Sequence, residues 1–267
     1  IQGGVGPISS RLLVDGPLVK GKTSLILGAR GSMSDFYLGY FPNPALQKSK
    51  ADFYDVNFKL THKLSENQRI SLSGYISHDG FKFASDTLYS WETKTLSFQH
   101  HALWKNWSHH FTAFASDYAY GIDGLKSGYE FAWKPSIAQK TLREDLSLDL
   151  KQLGRVDLGA EFNAYRNDAG TFKPSSEKSV VNTFPMQAEN SREMSVYVGH
   201  SLPLGKRVSL DYGLRYAYYQ LLGAQTFYQY KSGIPRALNT IVDTVQYQGG
   251  DVIQAYGGVE PRLSLAV

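Results

Sequence analysis

The sequence predicts an all-β fold, an antiparallel transmembrane β-barrel segment of about eleven strands, and three observations carry that reading. Long runs alternate apolar and polar residues with a period of two, short polar turns alternate with long connections, and aromatic residues crowd the ends of the runs.

The clearest unit is residues 52–79. In its first arm Tyr54, Val56, Phe58, Leu60, His62 and Leu64 share one face, and Asp55, Asn57, Lys59, Thr61 and Lys63 share the other. After the polar turn Ser65-Glu66-Asn67-Gln68, the second arm sets Ile70, Leu72, Gly74 and Ile76 against Arg69, Ser71, Ser73, Tyr75 and Ser77. One wall is apolar and the other is wet. Soluble strands most often run about five or six residues, whereas a tilted membrane-spanning strand needs about nine to eleven, which both arms reach.

Taken in order, residues 8–14 and 22–30 read as strands joined by a turn at Asp15-Gly16-Pro17. Residues 32–50, rich in aromatics, form the first long connection, and residues 80–92 form the second. Leu96, Phe98, His100 and Ala102 then alternate with Thr95, Ser97, Gln99 and His101, and a turn at residues 105–108 returns the chain through residues 109–120. Residues 121–133 form a third connection. Leu142, Leu146 and Leu150 in residues 136–151 also fit a helical i, i+4 spacing. That segment is assigned to strand because its partner, residues 155–167, alternates clearly, and Glu144 is placed near the outer edge of the apolar band.

Residues 168–190 form a fourth connection before Met194, Val196 and Val198, and Pro203-Leu204-Gly205-Lys206 makes the next turn. Val208, Leu210, Tyr212, Leu214, Tyr216 and Tyr218 form one face of the following strand. A fifth connection, residues 220–258, leads to a last strand at Val259. Long connections are expected on the outer side of the membrane and short turns on the inner. Trp104 and Trp107 then fall at the inner interface, and Trp91, Tyr118, Tyr120, Tyr216 and Tyr218 near the outer one. A β-propeller is the soluble alternative, because the turns recur at a similar spacing, but a blade needs four short strands per repeat.

Composition agrees with a barrel. No run of eighteen apolar residues exists, and the mean hydropathy of -0.32 is what alternation leaves when it dilutes the apolar signal. The 18 Tyr, 14 Phe and 4 Trp suit interfacial girdles. A net charge of +4, scattered and not striped, argues against a nucleic-acid partner. With no cysteine there is no disulfide framework and no thiolate site. Ile1 opens the chain without a methionine or signal peptide, and residues 262–267 read as the inside of a strand, so residues 1–267 are expected to be a fragment.

Residues 4–24, GVGPISSRLLVDGPLVKGKTS, resemble the barrel portion of TonB-dependent outer-membrane receptors, and residues 52–79 and 260–265 are similar to later strands of such barrels. The resemblance implies a 22-stranded barrel around an N-terminal plug, with about half of the strands here and the plug and remaining strands outside this chain. It implies energised uptake of a scarce nutrient, a siderophore, vitamin, glycan or peptide, at the outer membrane of a Gram-negative bacterium. The implied partners are outer-membrane lipid, the nutrient, the TonB complex acting through the plug, and a surface lipoprotein. A passive porin is the alternative function.

Candidate ligand-contacting residues are the loop aromatics Tyr37, Tyr40, Phe41, Phe81 and Tyr89 and the polar-wall residues Arg69, Tyr75, Asp79, Glu161, Tyr165 and Arg215. No cofactor is expected. Neither His100-His101 nor His109-His110 is expected to bind metal, because adjacent strand residues point to opposite faces. No nucleophile elbow or spaced acid–base pair supports an outer-membrane enzyme.

Overall fold

The computed structural model describes residues 1–32, 34–84, 86–205 and 207–266. Lys206 of the expected turn and Val267 of the last strand lie outside the described residues. In order the elements are β1 (Gln2–Val5), β2 (Ser9–Val19), β3 (Thr23–Ser32), α1 (Ser34–Leu38), α2 (Pro44–Gln47), β4 (Lys50–Ser65), β5 (Gln68–Lys82), β6 (Thr87–Trp104), β7 (Trp107–Gly124), β8 (Phe131–Trp133), β9 (Ser136–Asp149) and β10 (Arg155–Asp168). There follow β11 (Thr171–Pro174), β12 (Phe184–Pro185), β13 (Glu189–Leu204), β14 (Val208–Leu222), β15 (Gln225–Tyr230), β16 (Ile241–Tyr247) and β17 (Val252–Ala266).

One antiparallel sheet runs β1-β2-β3-β4-β5-β6-β7-β9-β10-β13-β14-β17, with β8, β11 and β12 attached beside it and β15-β16 as a separate hairpin. A continuous sheet replaces the separate blades that a propeller requires. Eleven of these strands, β2 to β7, β9, β10, β13, β14 and β17, are the long alternating runs of the sequence, and β1 adds a short twelfth. Ala102 is the one hydrophobic side chain buried among the described residues, while Leu96, Leu142, Val196 and Leu214 stay about half exposed. The apolar wall therefore has no protein layer against it, unlike any soluble sheet of this size.

Register fixes the two faces. Leu72 pairs with Phe98, Phe98 with Ala113, Ala113 with Leu142, and Leu142 with Phe162, an unbroken apolar row over five strands. On the opposite face Arg69 pairs with His101, His101 with His110, and His110 with Asp145.

Several boundaries depart from the sequence expectation. The first turn is not at Asp15-Gly16-Pro17, which lies inside β2; a register shift between Pro17 and Val19 accommodates the proline, and the chain turns at residues 20–22, with Gly21 at a φ of 72°. The expected connection at residues 80–92 is mostly ladder, because Gly80 pairs with Ser90 and Phe81 with Tyr89. Residues 121–124 end β7, and residues 252–258 already belong to β17. The first connection, by contrast, holds two short helices. The side chain of Asn43 accepts a 2.9 Å hydrogen bond from the Ala45 amide, and Pro44 opens α2.

Trp104 and Trp107 pair on the apolar face at the short-turn end. Tyr216 and Tyr218 share that face at the other end, but Trp91, Tyr118 and Tyr120 fall on the polar face, where the Trp91 and Tyr120 rings lie 5.6 Å apart. They were expected in the outer girdle, and strand parity turns them inward. Glu144 also departs from its expected place at the band edge. It sits within the apolar band between Leu142 and Leu146, paired with Phe111 and Ala160. His109 is the neighbouring group of opposite potential charge: its Nδ1 lies 2.5 Å from a Glu144 oxygen, and its Nε2 lies 3.1 Å from Nδ1 of His100.

A carboxylate on a wall covered by lipid or detergent is costly without a partner. His109→Leu in the intact protein is expected to destabilise the sheet by on the order of 1–2 kcal/mol, read from thermal unfolding in detergent micelles. His109→Leu with Glu144→Leu should recover the loss; a double variant no more stable than the single one would show that the pairing is not what Glu144 needs.

Candidate functional site

The polar face is a set of parallel rows that cross the strands. One row runs Lys63, Arg69, His101, His110, Asp145, Gly159, Tyr197, Arg215 and Glu260 from β4 to β17. Another carries Asn57, Tyr75, Thr95, Ser116, Gln139, Tyr165 and Ser191. The expected wall residues Arg69, Tyr75, Asp79, Glu161, Tyr165 and Arg215 thus all face the polar side. They do not converge on a point. With strands about 4.8 Å apart, Tyr75 and Tyr165 are roughly 19 Å from each other and Arg69 and Arg215 roughly 29 Å.

The densest part of the wall lies on β9, β10 and β13, where Asp145, Gly159 and Tyr197 stand directly opposite one another. Gly159 has no side chain, so the Tyr197 ring lies across it and its hydroxyl reaches Asp145. Arg143 closes the group with two hydrogen bonds to Asp145, 2.8 and 3.1 Å, and one of 3.2 Å to the Tyr197 hydroxyl. Its other nitrogen lies 3.7 Å from Glu161, which accepts a 2.6 Å hydrogen bond from Asn163, and Asn163 in turn accepts 2.6 Å from Thr141. Arg155 donates to Asp157 at 2.8 Å and to Ser147 at 2.7 Å. The arginines are about half exposed or more, so the network orders the wall by mutual hydrogen bonding and not by burial.

Beside this network a cavity of about 500 Å³ opens toward β14 and β17, with Tyr197, Asp211, Arg215 and Arg262 in its lining. Arg215 has one 3.3 Å contact with Glu193, and Arg262 lies 4.0 Å from Glu260. These guanidinium groups are less committed than Arg143.

The aromatic candidates fall into two groups. Tyr37 and Tyr40 pack on Phe36, with ring centroids 5.3 and 5.4 Å apart, and the Phe41 carbonyl accepts a 3.0 Å hydrogen bond from Gln47. Phe81 and Tyr89 are not loop residues but cross-strand partners on the polar face, near the end of the β5–β6 hairpin. The structure does not bring the two groups into contact through any ring pair among the described residues. His101 and His110 pair on the polar face with ring centroids 6.1 Å apart, and His100 and His109 pair on the apolar face, so the four histidines divide as strand parity requires.

Arg143, Asp145 and Tyr197 were not singled out by sequence reasoning. A signal for them exists in the repeated Arg-x-Asp spacing at residues 143–145, 155–157 and 166–168, since residues two apart on a strand share a face.

No protein-family model matches the chain, and no curated protein matches its sequence. Solved structures do. The chain is similar to the ferric-catecholate import receptor Fiu from K12 E. coli in its closed form, at 13% identity and a TM-score of 0.62, over 96% of this chain and 45% of that one. It is similar to the copper transporter OprC at 10% identity and a TM-score of 0.69, over 96% of this chain and 40% of that one. It is also similar to the ferric yersiniabactin uptake receptor FyuA from Yersinia pestis, at 8% identity and a TM-score of 0.62, over 96% of this chain and 42% of that one. The chain spans less than half the length of these proteins. The shared fold is that of roughly half of such a barrel, an all-β antiparallel sheet that is not closed on itself.

Gly159→Ala should force the Tyr197 ring off its seat, since a Cβ there meets the ring directly, at a cost of roughly 1–3 kcal/mol. In a Tyr197→Ala background the same change should cost almost nothing, and equal costs in both backgrounds, measured by unfolding of the intact protein, would contradict this packing.

Proposed function

We propose that residues 1–267 are the wall of an outer-membrane receptor of a Gram-negative bacterium that imports a scarce nutrient, with energy delivered from the TonB complex through a plug encoded elsewhere in the full polypeptide. One observation carries the reading: a single sheet with an uncovered apolar face and a polar opposite face, similar over 96% of this chain to the Fiu import receptor and to the copper transporter OprC. A membrane-spanning sheet needs these two faces, because lipid solvates one and a polar lumen the other.

The cargo is captured at the aromatic rim, by Tyr37, Tyr40, Phe41, Phe81 and Tyr89, and passes a lumen whose looser cations are Arg215 and Arg262. Arg69, Tyr75, Glu161 and Tyr165 line that path. Rings at the mouth suit a cargo with flat or apolar surfaces, and guanidinium groups suit one bearing carboxylate, catecholate or phosphate oxygens. The siderophores, vitamins, glycans and peptides that would fit differ in these groups. The neighbours named for ferric-catecholate and ferric-yersiniabactin uptake support the siderophore among them.

The test uses cells with and without the full gene, offered labelled ferric catecholates, vitamins, oligosaccharides and peptides. One class should accumulate only when the gene is present, and its uptake should cease when the proton gradient is dissipated. Gene-dependent uptake that continues unchanged after dissipation would replace the energised receptor with a passive pore.

A further inference from the structure

The apolar face carries a feature that uptake does not use. On β10, Ala164 pairs with Lys140 of β9 on one side and with Arg192 of β13 on the other, and Arg166 stands two residues farther along the same face. Three cations therefore surround one small side chain. The position is the long-connection end of the wall: Phe162 and Leu142 of the apolar band lie on the side of the short turns, and β10 ends at Asp168.

Their commitments are partial. Arg166 donates to Asp168 at 3.2 Å, and Arg192 donates through Nε to Gln220. The ammonium of Lys140 has no partner among the described residues, and Asp117 stands across Ala138, two residues from Lys140. Two carboxylates thus face three cations. The remaining guanidinium and ammonium donors are free to take up an anion.

Below the cations lies a groove of about 410 Å³. It follows two neighbouring rows of the ladder, Leu72-Phe98-Ala113-Leu142-Phe162 and Leu96-Ala115-Lys140-Ala164. Ala113, Ala115 and Ala164 form its floor because the alanines are shorter than the leucines and phenylalanines around them. It crosses five strands, roughly 19 Å at the usual strand spacing. Lys140 belongs both to the groove and to the cation cluster, so the apolar trough leads directly to the charges.

We propose that this is a lipid site: Lys140, Arg166 and Arg192 hold the phosphate of a membrane lipid while one of its acyl chains lies in the alanine-floored groove. The proposal rests on the membrane reading above, which makes this face the lipid side. Charge complementarity selects the occupant, since an apolar trough that ends in cations at a headgroup level matches an acyl chain that ends in phosphate. A partner protein segment would need to bring its own anion and cover the exposed leucines on both sides, and besides Lys140 the groove lining offers it only Thr141 as a polar residue.

The full-length receptor, purified in detergent from outer membranes, would be titrated with phosphatidic acid and examined by native mass spectrometry. Diacylglycerol of the same chains and inorganic phosphate serve as separate probes. One phosphatidic acid per protein is expected, with neither diacylglycerol nor inorganic phosphate retained at the same concentration. Lys140→Gln, Arg166→Gln and Arg192→Gln together should weaken phosphatidic acid roughly a hundredfold, at about one unit of headgroup attraction per cation. Ala113→Leu with Ala115→Leu, which fills the trough and keeps every charge, should weaken it too. Equal retention by wild type and the triple variant would overturn the site, as would retention of inorganic phosphate alone. Failure to find the receptor in the outer-membrane fraction would instead overturn the membrane reading.

Discussion

Strand parity is the constraint on which the rest of this structure depends. From β2 to β17 every pairing joins residues of the same face, so the apolar wall and the polar wall are continuous across the sheet. A slip of one residue between β9 and β10 would put Glu161 beside Leu142 and turn the Arg143 network toward the apolar side. No interior core enforces the register, because the sheet is one layer with a single buried hydrophobic residue, Ala102, among those described. What holds it is the hydrogen-bonded ladder, together with the division of apolar and polar side chains between the two faces.

Parity is a local property of each strand, and this decides what the sequence disclosed. The hairpin at residues 52–79 emerges as β4 and β5 because both arms alternate without interruption and the turn between them is polar. Arg69, Tyr75, Glu161, Tyr165 and Arg215 face the polar side for the same reason. Register is not local. Which residue of β9 meets which of β10 and β13 depends on how many residues each connection uses, so the row of Asp145, Gly159 and Tyr197 was invisible until the strands were placed. Turn signals were the weaker guide: Asp15-Gly16-Pro17 reads as a turn in isolation, but the ladder continues past it with a register shift. Segments that read as loops, such as residues 80–82 and 87–92, are strand because cross-strand pairs such as Phe81 with Tyr89 outweigh local composition.

The helix-like spacing of Leu142, Leu146 and Leu150, in a segment that is strand as its partner required, has a related cause. Glu144 occupies the apolar position between Leu142 and Leu146, which breaks the strand pattern and leaves a spacing of four. On that wall β7 sets the His109 ring beside the same residue from the neighbouring strand. A local irregularity in the sequence is thus resolved by a nonlocal partner.

The Arg-x-Asp spacing gives the two faces a common device. Residues two apart on a strand lie about 6.6–6.8 Å from each other on one face, within reach of an arginine fork. Arg143 with Asp145 and Arg155 with Asp157 use it on the polar wall, and Arg166 with Asp168 uses it on the other face. An arginine held this way is already bonded to a carboxylate, so binding a passing anion means giving up an ion pair of similar quality. Arg143, bonded to both Asp145 oxygens and to Tyr197, gains little from such an exchange. Arg215 and Arg262, at 3.3 and 4.0 Å from their carboxylates, lose less. From β9 to β17, the polar-wall arginines with the loosest carboxylate contacts are therefore those of β14 and β17.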